Sequence, residues 1–237
     1  MAKLILVPTP IGNLKDITLR AIETLQEVSL IIAEDTRVIK KLLNHLGIQK
    51  KVVSYHIHNE HHQIASLLAT IEAMEKVALV SDAGTPGISD PGYLLVREAI
   101  QVGIEVECLP GPSAILPALV ASGIPCDRFY FEGFLPHKKG RTTRLNYLSQ
   151  LDCTLVLYES PHRLIKTITQ LAEGLGNDRN AVVVKEISKV YERYFRGTLG
   201  ALLQEIKPEV IKGEFVIIIG NTQPIFRKGS EPINSNH

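Results

Sequence analysis

Apolar and polar positions follow two different textures along the chain. In the first half, short β-branched runs alternate with stretches whose apolar residues recur three and four apart. Leu4–Val7, Val28–Ala33, Val52–Tyr55, Val77–Val80 and Ile104–Leu109 read as strands. Thr18–Glu27, Val38–Leu46, Gln63–Met74 and Tyr93–Gln101 read as helices, and Ile64, Leu67, Leu68 and Ile71 mark one face of the third. Gly47 stands where a helix ending at Leu46 needs a left-handed residue. Ser113–Ala121 opens a further helix. Strands alternating with helices of about ten residues predict a mostly parallel α/β sheet.

The second half changes pattern near Ala118–Pro125. Phe129–Gly133, Thr154–Tyr158, Ala181–Glu186, Tyr191–Arg196 and Phe215–Ile219 read as strands, with helices at Thr142–Leu151, Leu164–Glu173 and Leu199–Ile206. Ala181–Glu186 and Tyr191–Arg196 leave no room for a crossover helix, so they must pair antiparallel, which makes the second sheet mixed. The expected organisation is an N-terminal α/β domain over 1–117, a C-terminal mixed α/β domain over 118–226, and a polar tail over 227–237.

Composition narrows the class. The 237 residues are 45% hydrophobic and 22% charged, an ordinary globular balance that excludes disorder, collagen and coiled coil. The longest apolar stretch, Ala114–Ala121, is broken by Pro117 and is far shorter than a membrane span. Leu4–Val7 is too short for a signal-peptide core. Cys108, Cys126 and Cys153 are too scattered for a disulfide framework or a zinc ribbon. A reduced, soluble, cytoplasmic protein without membrane contact is expected. The net charge of +1 conceals an asymmetry: residues 1–117 carry −3 and residues 118–237 carry +4. A basic second half suits a polyanionic partner.

In a parallel sheet, ligands bind at the carboxyl ends of the strands. The first strand is followed by Pro8-Thr9-Pro10-Ile11-Gly12-Asn13, the second by Glu34-Asp35-Thr36-Arg37, and the fifth by Pro110-Gly111-Pro112-Ser113. The fourth is followed by a twelve-residue loop, residues 81–92, well beyond the usual ~2–6. Glycine admits close backbone approach, proline stiffens, and Asp and Ser offer acceptors to hydroxyl or amino groups. No dinucleotide-binding glycine motif, P-loop or nucleophile elbow is present. Loops rich in carboxylates and poor in cations do not suit a triphosphate; they suit a neutral or cationic nucleoside cofactor.

These stretches carry a resemblance. LVPTPIGNLKDIT (6–18), AEDTR (33–37), SDAGTPGISDPG (81–92), LPGPSA (109–114), FEGFLP (131–136), YESPHR (158–163), KEISKVYE (185–192) and GEFVIII (213–219) resemble, in order, the small-subunit rRNA 2′-O-methyltransferase I family of the tetrapyrrole methylase superfamily. Lys185, Ile187 and Ser188 depart from the Arg, Leu and Thr usual there. The resemblance implies a two-domain α/β homodimer that binds S-adenosyl-L-methionine between its domains. It also implies methylation of a cytidine ribose 2′-hydroxyl in the decoding region of 16S rRNA, as free RNA or in the 30S subunit. The cofactor contacts it implies are Pro10, Ser81, Asp82, Thr85, Ser113 and Ala114, with Tyr158 and Ile187 from the second domain.

Other roles stay open from the residues. Asp35 is either a helix N-cap or, as the acidic position of related tetrapyrrole methylases implies, the group that takes the hydroxyl proton. His58 and Lys185 are weaker candidates for that role. His56, His58, His61 and His62 lack a completing Cys, so no metal is expected. His137–Arg144 holds four Lys/Arg and no acid. Arg37, Lys138, Lys139, Arg141, Arg144, His162 and Arg163 are the candidate RNA contacts. The competing classes are a corrinoid or sirohaem-precursor methyltransferase and a non-catalytic RNA-binding assembly factor.

Overall fold

The computed structural model describes residues 2–55, 60–207, 209 and 211–221. The expected tail at 227–237 and His58 lie outside them. Two compact units divide between Ala114 and Ile115, so the expected 117/118 boundary falls inside a helix, Ile115–Ser122.

The first unit runs β1 (Lys3–Leu6), α1 (Leu19–Glu27), β2 (Leu30–Ala33), α2 (Thr36–His45), β3 (Val52–Ser54), α3 (Glu60–Glu72), β4 (Lys76–Val80), α4 (Tyr93–Gln101) and β5 (Glu105–Cys108). All five strands are parallel, in the order β3-β2-β4-β1-β5. Alternation along each strand splits the core in two. Ile5, Val7, Ile31, Ala33, Ala78 and Val80 face the α1 and α2 side, packing with Leu25, Ile39 and Leu42. Leu4, Leu6, Leu30, Ile32, Val77 and Leu79 face the α3 and α4 side, packing with Leu67, Ile71 and Leu95. Burial on both faces is why these strands read as unbroken apolar runs. Thr18 caps α1 by accepting from Ala21 N, and Gly47 leaves α2 at φ 68°.

The connections from β1 and β4 leave these neighbouring strands toward opposite faces, through α1 and α4. That divergence opens a crevice at their carboxyl ends, the topological switch point of the sheet.

The second unit runs α5 (Ile115–Ser122), β6 (Phe129–Phe134), α6 (Arg141–Ser149), β7 (Thr154–Glu159), α7 (Leu164–Leu175), β8 (Asn180–Lys185), β9 (Arg193–Thr198), α8 (Leu199–Glu205) and β10 (Phe215–Ile219). Its sheet has the order β6-β7-β10-β8-β9, with β6 and β7 parallel and the other pairs antiparallel, a mixed sheet as expected. Leu155, Leu157, Val183, Phe195 and Ile217 bury against Leu164, Ile168 and Leu202 of the helices on one face. β9 begins at Arg193, two residues later than its sequence pattern predicts. Glu186 and Ser188 turn the chain through the left-handed region, so Tyr191 stands in a loop rather than in the ladder.

Candidate active site

Three strand-end loops of the first unit are knitted at the switch point. Thr9 and Gly84 exchange both backbone hydrogen bonds at 2.9 Å, tying the loop after β1 to the long loop after β4. The buried Thr9 hydroxyl donates to Ser81 O at 3.2 Å. Thr85 Oγ1 donates to Pro112 O at 3.4 Å, which draws in the loop after β5. Gly111 makes that approach possible: a Cβ there would lie 2.6 Å from Pro8 Cβ, in a ring that cannot swing aside. Pro10, Ser81, Asp82, Thr85, Ser113 and Ala114 therefore share one rim. Ser81 differs from the other five. It is buried, and its hydroxyl bonds within the loop to Ala83 O and Gly84 O at 3.3 Å. Its place is to shape the loop.

Four carboxylates gather along this rim. Asp82 is exposed, and its Oδ1 accepts from Asp35 N at 3.0 Å, linking the ends of β4 and β2. Asp35 is the N-cap of α2. Its Oδ1 accepts from Arg37 N at 2.8 Å, and Arg37 Nη2 donates to Oδ2 at 2.6 Å. Both of its oxygens are thus held by cap and ion pair, and the exposed Arg37 guanidinium lies on Asp35. Glu34, the residue before it, is half-buried, and no described residue hydrogen-bonds its carboxylate. Burial, reinforced by Asp90, Asp82 and Asp35, pushes Glu34 up to about 7. Burial and Asp82 push Asp90 up to about 6 against the hydrogen bond from Ser81. Sequence reasoning passed over both. Two adjacent acids at a strand end was the available signal for Glu34, because only one can both cap the helix and pair with Arg37.

In the second unit the candidate RNA contacts separate sharply. Arg141 is 5% exposed and does not reach solvent phosphates. Its Nε donates to Gln170 Oε1 at 2.8 Å, Nη1 to Pro136 O at 3.1 Å and Nη2 to Thr167 Oγ1 at 2.6 Å. Thr167 in turn donates to Glu159 Oε2 at 2.6 Å, and Arg163 Nη2 pairs with Glu159 Oε1 at 2.8 Å while its Nη1 donates to Leu135 O. Arg141 and Arg163 are thus internal cations, because a buried carboxylate and stranded carbonyls demand them. Arg144 is similarly engaged, by Glu132 at 2.6 Å, by the Tyr130 hydroxyl and by the Tyr147 ring at 4.7 Å. Lys138, Lys139 and His162 are exposed. Tyr158 packs edge-on to Phe131 at 5.1 Å, and Ile187 is buried just after β8, where Lys185 ends the strand. Tyr158 and Lys185 both sit at the start of β10, paired with Val216 and Phe215 respectively.

The model of the tetrapyrrole (corrin/porphyrin) methylases matches residues 3–203. Ribosomal RNA small subunit methyltransferase I of Synechocystis sp. is 48% identical over 225 residues, covering 94% of this chain and 81% of that protein. The chain belongs to that family. The Escherichia coli O157:H7 member is 47% identical over 92% of this chain and 77% of its own length. The Thermotoga maritima member is 43% identical over 94% of this chain and its full length. Among solved structures, a diphthine synthase superposes with TM-score 0.72 at 17% identity, covering 92% of this chain and 90% of that one. Uroporphyrin-III C-methyl transferase from Thermus thermophilus, complexed with S-adenyl homocysteine, superposes with TM-score 0.63 at 20% identity, covering 93% and 97%. At such identities these neighbours show the tetrapyrrole methylase fold alone. Among the described residues no helix is long and apolar enough to cross a membrane.

Proposed function

We propose that this chain transfers the methyl group of S-adenosyl-L-methionine to the 2′-oxygen of a cytidine in the decoding region of 16S rRNA, in free RNA or the 30S subunit. It works in the cytoplasm as a homodimer. The observation that carries the reading is the knitted rim at the switch point, in a chain 48% identical to an rRNA small subunit methyltransferase I over 94% of its length.

The rim fits such a cofactor. Asp82, Asp90 and Glu34 supply acceptors and negative potential for a cationic nucleoside, and Gly84 and Gly111 let the loops that carry them close on one another. Pro10, Thr85, Ser113 and Ala114 line the same rim, and Ser81 holds its shape; Tyr158 and Ile187 are the further contacts that the family resemblance implies. When bound, the cofactor supplies a methyl group already activated on a sulfonium. What remains for the protein is to align the oxygen and take its proton. Glu34 is better placed than Asp35 to accept that proton, since no described residue hydrogen-bonds its carboxylate, which burial pushes up to about 7, whereas both oxygens of Asp35 are held by the cap and Arg37. Asp35 instead fixes the start of α2 and holds Arg37. Lys138, Lys139, His162 and Arg37 are the exposed groups for RNA.

Labelled cofactor and 30S subunits from cells lacking this modification test the reading. Label is expected in a ribose-methylated cytidine whose 3′-phosphodiester resists alkali. Transfer to a tetrapyrrole with none to RNA would move the chain to the corrinoid and sirohaem branch, and binding without transfer would make it an assembly factor.

A further inference from the structure

The loop joining β8 to β9, residues 186–192, is braced more heavily than a strand connection requires. Glu186 N donates to Glu214 O and Glu214 N donates back to Glu186 Oε1, both at 2.9 Å. Lys189 Nζ bridges Glu186 Oε1 at 2.9 Å and Glu214 Oε2 at 3.0 Å. Glu192 Oε2 accepts from Ser188 N at 2.5 Å, and Lys189 N donates to Glu186 O at 3.0 Å. These bonds hold two non-glycine residues in the left-handed region, Glu186 at φ 51° and Ser188 at φ 64°. Such conformations are strained and persist only where surroundings over-determine them.

The brace presents a tip. Val190 is 93% exposed and Tyr191 76% exposed, and no described residue hydrogen-bonds or stacks on the Tyr191 ring. Nothing in this unit is stabilised by placing the pair in water. The charges nearby set what can cover it. The loop's carboxylates are committed internally, to Lys189 and to Ser188 N. Past the tip, the edge strand β9 carries exposed Arg193, its guanidinium 4.5 Å from the Phe195 ring, whereas Arg196 stands on the other face of the strand, 4.6 Å from the Tyr194 ring and donating from Nη2 to Ala121 O at 2.7 Å. A rigid, free aromatic followed two residues on by an exposed cation suits a single strand whose base stacks and whose phosphate pairs. An apolar partner surface would not need Arg193.

We infer that Tyr191, flanked by Val190, is a stacking platform for an unpaired base of the RNA, with Arg193 taking a neighbouring phosphate. This rests on the proposed RNA substrate and deepens it. The platform belongs to the loop that carries Ile187 and follows Lys185.

The test is binding of a fluorescent single-stranded 16S decoding-region fragment across a salt series, with cofactor affinity and sedimentation measured alongside. Base stacking on an aromatic contributes about 1–3 kcal/mol, so Tyr191→Ala should weaken RNA binding roughly 5-fold to 150-fold. The slope of log affinity against log salt should stay unchanged, because the lost contact is not ionic. Tyr191→Phe, which keeps the ring, should recover most of the loss. Arg193→Ala should instead lower the slope by ~0.7. In Tyr191→Trp, RNA should quench the new indole. Tyr191→Ala within twofold of wild type, or an unquenched indole, overturns the platform. A change of oligomeric state at unchanged RNA affinity overturns it in favour of a contact between copies. If the wild-type chain neither binds nor methylates RNA, the functional reading falls first and takes the platform with it.

Discussion

The strand-end rim of the first unit is held by backbone, and the basic end of the second by buried side-chain charge. Thr9 and Gly84 pair as a miniature ladder, Thr85 reaches a carbonyl, and Gly111 lets one loop lie on another. In the second unit, Glu159 gathers Thr167 and Arg163, and Arg141 joins through Thr167 to fix residues 135–136 against α7. The comparison teaches where function is left over. On the rim of the first unit it is an acid, Glu34, whose carboxylate no described residue hydrogen-bonds. In the basic loop of the second it is a pair of cations, Lys138 and Lys139, that no described residue pairs.

The largest effect is expected from Glu34. Removing a general base commonly costs 10²–10⁴ in rate. Glu34→Gln should lower single-turnover methylation by that much while cofactor and RNA affinities hold. Wild-type turnover should rise with pH through about 7 and then level, and the variant should lose this limb. Stability should move oppositely. With a folded value near 7 against an ordinary 4.5, Glu34 keeps its proton only in the native state between those values. Its stabilising contribution is complete below 4.5 and is lost as pH rises through 7. Denaturant midpoints across pH 4–8 should therefore fall less steeply for Glu34→Gln. Should Asp35→Asn abolish turnover and Glu34→Gln leave it within threefold, the rim's chemistry belongs to the cap residue.

Next is Arg141. Hydrogen bonds to charged groups contribute about 1.5–3 kcal/mol, and this guanidinium makes three. Arg141→Ala should lower unfolding free energy by at least that amount, and Arg141→Lys should not restore it, because an ammonium cannot reproduce the fork. A stable Arg141→Ala whose RNA affinity alone falls would return this residue to the phosphate contacts.

The unequal legibility of the two units has the same origin. Glycine, proline and strand periodicity act locally, so the parallel sheet, its strand-end loops and the antiparallel β8–β9 pair could be read from residue order. The fate of a side-chain charge depends on distant partners. Arg141 and Lys139 are two residues apart and equivalent in a charge count, yet Thr167 and Gln170, more than twenty residues on, bury one and leave the other in water. Glu34 and Asp35 divide the same way, since only the fold shows which acid meets Arg37.

Asp82 is a smaller case. Its Oδ1 holds Asp35 N, and its carboxylate is exposed on the rim proposed for the cofactor. Asp82→Ala should weaken cofactor binding roughly tenfold to a hundredfold, as loss of a charged hydrogen-bond partner does. Unchanged affinity by calorimetry would reduce Asp82 to a loop anchor.

The smallest effect on the fold, and the cleanest contrast with Arg141, is expected at Lys138 and Lys139. Both side chains are exposed, and no described residue pairs with either ammonium. Replacing both by Ala should therefore leave the melting temperature nearly unchanged, within the ±0.5 kcal/mol typical of surface positions. Cofactor affinity should not move either, because the cofactor rim lies on other elements. RNA binding should respond through its salt dependence. Each phosphate contact releases a counterion, so losing two should lower the slope of log affinity against log salt by about 1.4–1.8. Arg141→Ala is expected to give the reverse pattern, a lowered melting temperature first and RNA binding affected only through residues 136–140, which it fixes. An unchanged slope in the double lysine variant would leave that loop a solvated connection and shift the expected phosphate contact to Arg193 on β9.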